Sequence, residues 1–117
     1  ENARHLGRDI IGPELEKLKA KHPSVGDVRG VGVFWAIELV KDRETREPLV
    51  PFNAAGPAAA PMAELIGACK AQGLWPFTHF NRMHVVPPLT TSDEDVRAGI
   101  AIIDEVLTLA DAHYTGN

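Results

Sequence analysis

Cysteine is almost missing from this chain. Cys69 is the single one, which excludes an internal disulfide and leaves no cysteine pair for a zinc site. That usage fits a reducing cytoplasm, the expected location. Serine is nearly as scarce: Ser24 sits in a turn and Ser92 at a helix start, and neither lies in a nucleophile-elbow pattern, which argues against a serine hydrolase. The histidines His5, His22, His79, His84 and His113 never fall at His-x-x-x-His spacing, so no metal pair is written into one helix. Gly30-Val31-Gly32 lacks the third glycine of a dinucleotide fingerprint, and no Gly-rich loop ends in Lys-Ser or Lys-Thr. No apolar run approaches the ~20 residues that span a bilayer. Basic residues are outnumbered, 12 against 16 acids for a net charge of -4, and they are spread along the chain. Neither a nucleic-acid footprint nor a polybasic membrane surface is present in that pattern. The chain opens Glu1-Asn2-Ala3-Arg4, without an initiator methionine or a secretion signal, and reads as a piece of something longer.

What is present suffices for one core. At 117 residues and 44% hydrophobic content, residues 1–117 are expected to form a single domain. Asn2 to about Lys21 reads as a helix with Leu6, Ile10, Leu15 and Leu18 near one face. Gly12-Pro13 predicts a kink there, or a second helix with Pro13 in its first turn. Gly26-Asp27 predicts a turn and Val28–Val40 a long strand, in which Gly30 and Gly32 allow a close approach or a bulge. Lys41–Glu47 is a run of charges expected to be a solvated loop or hairpin tip. Pro48–Pro61, with four prolines, predicts an irregular connection. A helix is expected from about Ala60 to Gln72 with Gly73 as its cap, then a short edge strand at Leu74–Phe77. The last helix, Asp93 to about His113, carries Val96, Ile100, Ile103, Leu107 and Ala110 as an apolar stripe. Together these elements predict an α+β fold: a small, mainly antiparallel sheet with helices packed on one face. Cys69 falls on an apolar helical face, as a core residue would. Glu38 is expected to point outward from its strand into solvent.

The chemistry concentrates between Asn81 and Asp95. Met83, Val85 and Val86 are strand-forming, Pro87-Pro88 must end backbone pairing, and Ser92 before three acids is a helix start. Residues two apart on a strand share a face, so Arg82 and His84 point the same way. A guanidinium on a rigid strand suits a carboxylate, and a neighbouring imidazole adds a hydrogen bond or a stack. The same two side chains could equally do no more than cover the open face of a small sheet.

The stretch Val28-Arg29-Gly30-Val31-Gly32-Val33-Phe34-Trp35-Ala36-Ile37-Glu38-Leu39-Val40 and the segment Val86-Pro87-Pro88-Leu89-Thr90 resemble, in order and spacing, two motifs of the class III, fold-type I, pyridoxal-phosphate-dependent aminotransferases. The resemblance covers nearly all of the chain and is nearest to the ω-amino-acid:pyruvate type. It implies the C-terminal small domain of an enzyme that moves an amino group from a primary amine or ω-amino acid to a 2-oxo acid, as a homodimer when full length. The lysine and aspartate that hold pyridoxal 5'-phosphate in that family lie upstream of such a segment. Lys17, Lys19, Lys21, Lys41 and Lys70 match no cofactor motif, so the resemblance assigns this chain no catalytic, cofactor-binding or metal residue, and the isolated piece is expected to be inert. Many relatives that act on ω-amino acids carry a carboxylate-binding arginine on the strand just before the double proline. That position is His84 here, with Arg82 one strand step upstream, roughly 6 to 7 Å away. Either Arg82 takes the carboxylate or the substrate has none. Two other readings stay open: a non-catalytic interaction or regulatory domain, and a relative of the same fold running a different pyridoxal-phosphate reaction such as amino migration or racemisation.

Overall fold

Residues 2–21 are helical throughout, through a change of ladder rather than a break. The computed structural model describes residues 2–51, 56–74, 77–79, 81–86 and 92–116. α1 (Asn2–His5) runs into a π-helical segment (Leu6–Ile11) and then α2 (Gly12–Lys21). The interruption expected at Gly12-Pro13 takes the form of that segment. Ile11 and Gly12 keep right-handed helical backbone, Gly12 N–H bonds five residues back to Gly7, and Pro13 sits in the first turn of α2, where a missing N–H is tolerated. Leu6, Ile10, Ile11, Leu15 and Leu18 are buried along its inner face.

The long strand expected at Val28–Val40 is two strands. β1 (Val25–Val31) and β2 (Phe34–Asp42) form an antiparallel hairpin, with Val31 opposite Phe34 and only Gly32-Val33 between them. Gly32 has φ 57°, which the first residue of so tight a connection needs and which only glycine adopts without penalty. The turn expected at Gly26-Asp27 lies inside β1 instead, where the register shifts between Val25 and Asp27. After β2 the chain turns back at once into β3 (Glu47–Pro48), so the charged run is a hairpin tip as expected. It is not all solvated: Arg43 donates from Nε to Val25 O and from Nη2 to the carbonyls of Lys19 and His22, capping the end of α2.

A 3-10 turn (Gly56–Ala59) leads into α3 (Ala60–Ala71). That helix ends in a Schellman arrangement, with Gly73 at φ 87°, Gly73 N–H on Lys70 O and Leu74 N–H on Cys69 O, as the glycine predicts. Cys69 is buried, and burial pushes its thiol above the usual range. Of the edge strand expected at Leu74–Phe77, Leu74 lies outside any strand, Trp75 and Pro76 are not among the described residues, and Phe77 opens β4 (Phe77–His79), which pairs with β5 (Arg82–Val85). The double proline also lies outside the described residues. α4 (Asp93–Asp111) starts where Ser92 Oγ accepts from Asp95 N–H at 3.1 Å, with three acids in its first turn.

The sheet is antiparallel throughout, in the order β1-β2-β5-β4, with β3 also on β2. Alternation sends Ile37, Leu39 and Met83 inward, all fully buried, to join the apolar faces of the helices in one cluster. The expected α+β layer is therefore the observed one. A polar hub joins α2 to α4: buried His22 places Nδ1 2.6 Å from Asp111 and Nε2 2.6 Å from Asp104, while Ser24 Oγ donates to the other Asp111 oxygen at 2.6 Å. Among the described residues no helix is long and apolar enough to cross a membrane.

Candidate substrate-facing site

With Met83 and Ile37 turned into the core, their strand neighbours must face the other way. β5 lies between β2 and β4, opposing His84 to Ala36 and Arg82 to Glu38 on one side, and Phe77 and His79 on the other. The outer face thus carries Phe34, Ala36 and Glu38 from β2 beside Arg82 and His84 from β5. The two residues singled out from the sequence do share this face, and both are half-buried. His84 meets the half-exposed ring of Phe34 edge-on, with centroids 5.8 Å apart and planes at 77°, a geometry that holds the imidazole in place.

Glu38 departs from expectation. Its side chain is only 25% exposed, and its Oε2 lies 3.9 Å from Arg29 Nη2 and 3.6 Å from Arg46 Nη2. Directly opposed residues have Cβ atoms about 4.5–5.5 Å apart, so this carboxylate also neighbours Arg82. The arrangement follows from the hairpin: folding at Gly32 brings Arg29 beside Ala36 and one step from Glu38. Recognising Gly32-Val33 as a two-residue turn would have placed Arg29 near Glu38 from the sequence.

Asn81 holds the lower end of β5. It is buried, its backbone oxygen accepts from Leu39 N–H at 2.9 Å, and its Nδ2 donates to Leu39 O at 2.7 Å. These bonds continue the β2–β5 pairing one residue beyond the strand and set where Arg82 starts. A second anchor lies past the proline segment. His5 Nε2 meets both Asp93 oxygens at 3.0 and 2.9 Å, and its Nδ1 meets Asp9 at 2.9 Å. Hydrogen bonding to Asp93, then to Asp9, raises the His5 pKa above its ordinary 6.5. A raised folded pKa stabilises the fold fully below the unfolded value, and this contribution is lost as pH rises through the folded one. The melting temperature should therefore fall as pH climbs past 6.5, and His5→Gln should flatten that slope. An unchanged slope in the variant would mean that the latch is not what titrates.

The sequence profile described as Aminotransferase class-III matches residues 1–107. The chain belongs to the class III aminotransferases. It is 36% identical to an ethanolamine-phosphate phospho-lyase homolog of Caenorhabditis elegans over 112 residues, 93% of this chain and 22% of that protein. To a taurine–pyruvate aminotransferase of Bilophila wadsworthia it is 37% identical over 117 residues, 97% of this chain and 25% of that protein. A solved taurine:2-oxoglutarate aminotransferase of Bifidobacterium kashiwanohense, in complex with PLP and glutamate, superposes with a TM-score of 0.84 at 27% identity, over 97% of this chain and 25% of that one. The chain thus spans a quarter or less of the length of these relatives.

Class III aminotransferases use pyridoxal phosphate, but the residues described do not fit a seat for it. None of the five lysines lies in β1, β4 or β5, and the one in β2, Lys41, alternates with Ile37 and Leu39 rather than with Ala36 and Glu38. Lys17, Lys19 and Lys21 are ion-paired to Glu14, Asp27 and Asp104. No step of the cofactor's chemistry is therefore assigned to this chain.

Proposed function

We propose that this chain is the C-terminal small domain of a longer class III aminotransferase, and that its outer sheet face forms one wall of the substrate pocket. Arg82 and His84 at the centre of that face receive the acid group of an ω-amino acid or of the 2-oxo acid acceptor. The observation that carries this reading is the placement of Arg82 and His84 side by side on the face turned away from the core, on a strand held between two others. A guanidinium fixed in this way offers a fork of donors that suits a carboxylate or sulfonate. The relatives favour the same substrate class, since taurine and ethanolamine phosphate are both short amines with an anionic far end. In the whole enzyme the cofactor would supply the electron sink, and this domain would supply orientation and charge complementarity.

In the full-length protein, Arg82→Ala should weaken acid-bearing substrates by roughly 1.5 to 3 kcal/mol, the range of a charge-assisted hydrogen bond, and should spare uncharged amines. Arg82→Lys should recover part of the loss, because an ammonium cannot form the paired contact. Specificity constants for taurine, pyruvate and an uncharged amine decide the matter: equal losses across all three would make Arg82 structural. The likeness to a phospho-lyase homolog favours a second reading, a lyase acting on a phosphorylated amine. Release of inorganic phosphate without consumption of a 2-oxo acid would select it.

A further inference from the structure

Among the described residues, Glu38 Oε2 is shut off from solvent and accepts no hydrogen bond, although Arg46 and Arg29 stand 3.6 and 3.9 Å away and Arg82 is its register partner. Leaving a carboxylate oxygen desolvated without a donor is costly unless nearby positive charge compensates. Arg29 and Arg46 approach this acid and Arg82 is its register partner, while a second acid, Asp27, opposes Glu38 on β1 and lies 3.7 Å from Arg29, so three guanidiniums share two acids and the outer face keeps an excess of positive charge with resident anions inside it. Arg46 reaches the acid from a backbone φ of 64°, which arginine seldom adopts, so the hairpin bears some strain to place this residue.

We propose that Glu38 is a specificity-determining residue: the built-in counter-ion that sets how strongly the arginines of this face, and Arg82 in particular, attract the acid group of the substrate. The inference rests on the reading that Arg82 faces that acid. Glu38 acts through Arg82 and not on the reacting atoms. It offsets part of the positive field at the point where the substrate's anion binds, so acid-bearing and uncharged amines are discriminated less than they would be without it. Arg29 holds the carboxylate from β1, across β2 from Arg82, and Arg46 reaches it from the β2–β3 hairpin; both compete with Arg82 for it, which limits how far it neutralises Arg82.

The test is the ratio of kcat/KM for taurine to that for an uncharged amine of similar length, measured in the full-length enzyme. Glu38→Gln removes one negative charge at roughly 6 Å in partly solvated surroundings and should raise the ratio about tenfold, through a lower KM for taurine. Glu38→Asp keeps the charge and should stay near the parent ratio. The pair Arg29→Gln and Arg46→Gln, on exposed side chains and so a small risk to folding, should lower the ratio by freeing Glu38 to hold Arg82. In an Arg82→Ala background the effect of Glu38→Gln should vanish, as expected for two coupled sites. Equal losses for both amines in Glu38→Gln, or an effect that survives without Arg82, would overturn the proposal while leaving the Arg82 reading intact. An Arg82→Ala enzyme with the parent ratio would remove the reading beneath it.

Discussion

His22→Ala should destabilise the protein by about 2 to 4 kcal/mol, the scale for removing one partner from a buried, charge-assisted network. The ring is 2% exposed and bridges two carboxylates, each at 2.6 Å, so its loss leaves Asp104 and Asp111 facing a void with their acceptors only partly solvated. Ser24 and Lys21 retain their bonds to Asp111 and Asp104 but cannot fill that space. His22 is also the main cause holding the Asp104 carboxyl below the usual carboxylate range, ahead of Lys21. A depressed folded pKa stabilises above the unfolded value and is lost as pH falls through the folded one, so the parent should lose this contribution in acid and the variant should have less to lose. Urea midpoints at neutral and acid pH measure both effects. A neutral-pH cost under about 0.5 kcal/mol would show the hub to be incidental.

Gly7→Ala should be as damaging for a different reason. A Cβ at Gly7 would overlap the carbonyl oxygen of Gly32 and come within 2.9 Å of its carbon. That oxygen is already engaged by Trp35 Nε1 at 2.8 Å, and the Gly32 backbone is held by the tight turn. Neither side can yield as a flexible side chain would, so the π segment and the β1–β2 turn must separate, at about 3 kcal/mol. Gly67→Ala is the control. In the middle of α3, with nothing within 4 Å of the added atom, it should stabilise by about 0.5 to 1 kcal/mol through helix propensity alone. If both variants melted like the parent, the close approach of Gly7 to Gly32 would not be a real constraint.

The hairpin shows how a correct local signal can mislead. Val28–Val40 has the composition of a strand almost throughout, and Gly32 reads as a permissive residue inside it. Nothing local distinguishes a bulge glycine from a turn glycine, and the choice is made by Val25 pairing with Leu39 over the core. The missed turn concealed the candidate site as well. While Glu38 belonged to one long strand it had no cross-strand neighbours and looked like a solvated acid. The fold-back at Gly32 brings Arg29 to it, while Arg46 arrives from the β2–β3 hairpin and Arg82 stands opposite it on β5. Arg82 and His84 were legible because their shared face depends only on the two-residue period of a strand.

The sequence by itself determined those features that depend on a few neighbouring residues. Ser92 with its acids starts α4, Gly73 ends α3, the 3.6-residue stripe of Val96 to Ala110 buries one face of a helix, and alternation around Met83 aims Arg82 outward. Two spaced motifs were enough to point to the family. Tertiary structure alone decided the pairings between residues far apart in the chain: His22 with Asp104 and Asp111, Arg43 with the end of α2, Gly7 against Gly32, and Glu38 among three arginines. A polar side chain carries no local mark of the partner it will meet. That partner is chosen when burial of the apolar faces sets which helix crosses which strand, and the hydrogen bonds then form between whatever groups that packing has brought within reach.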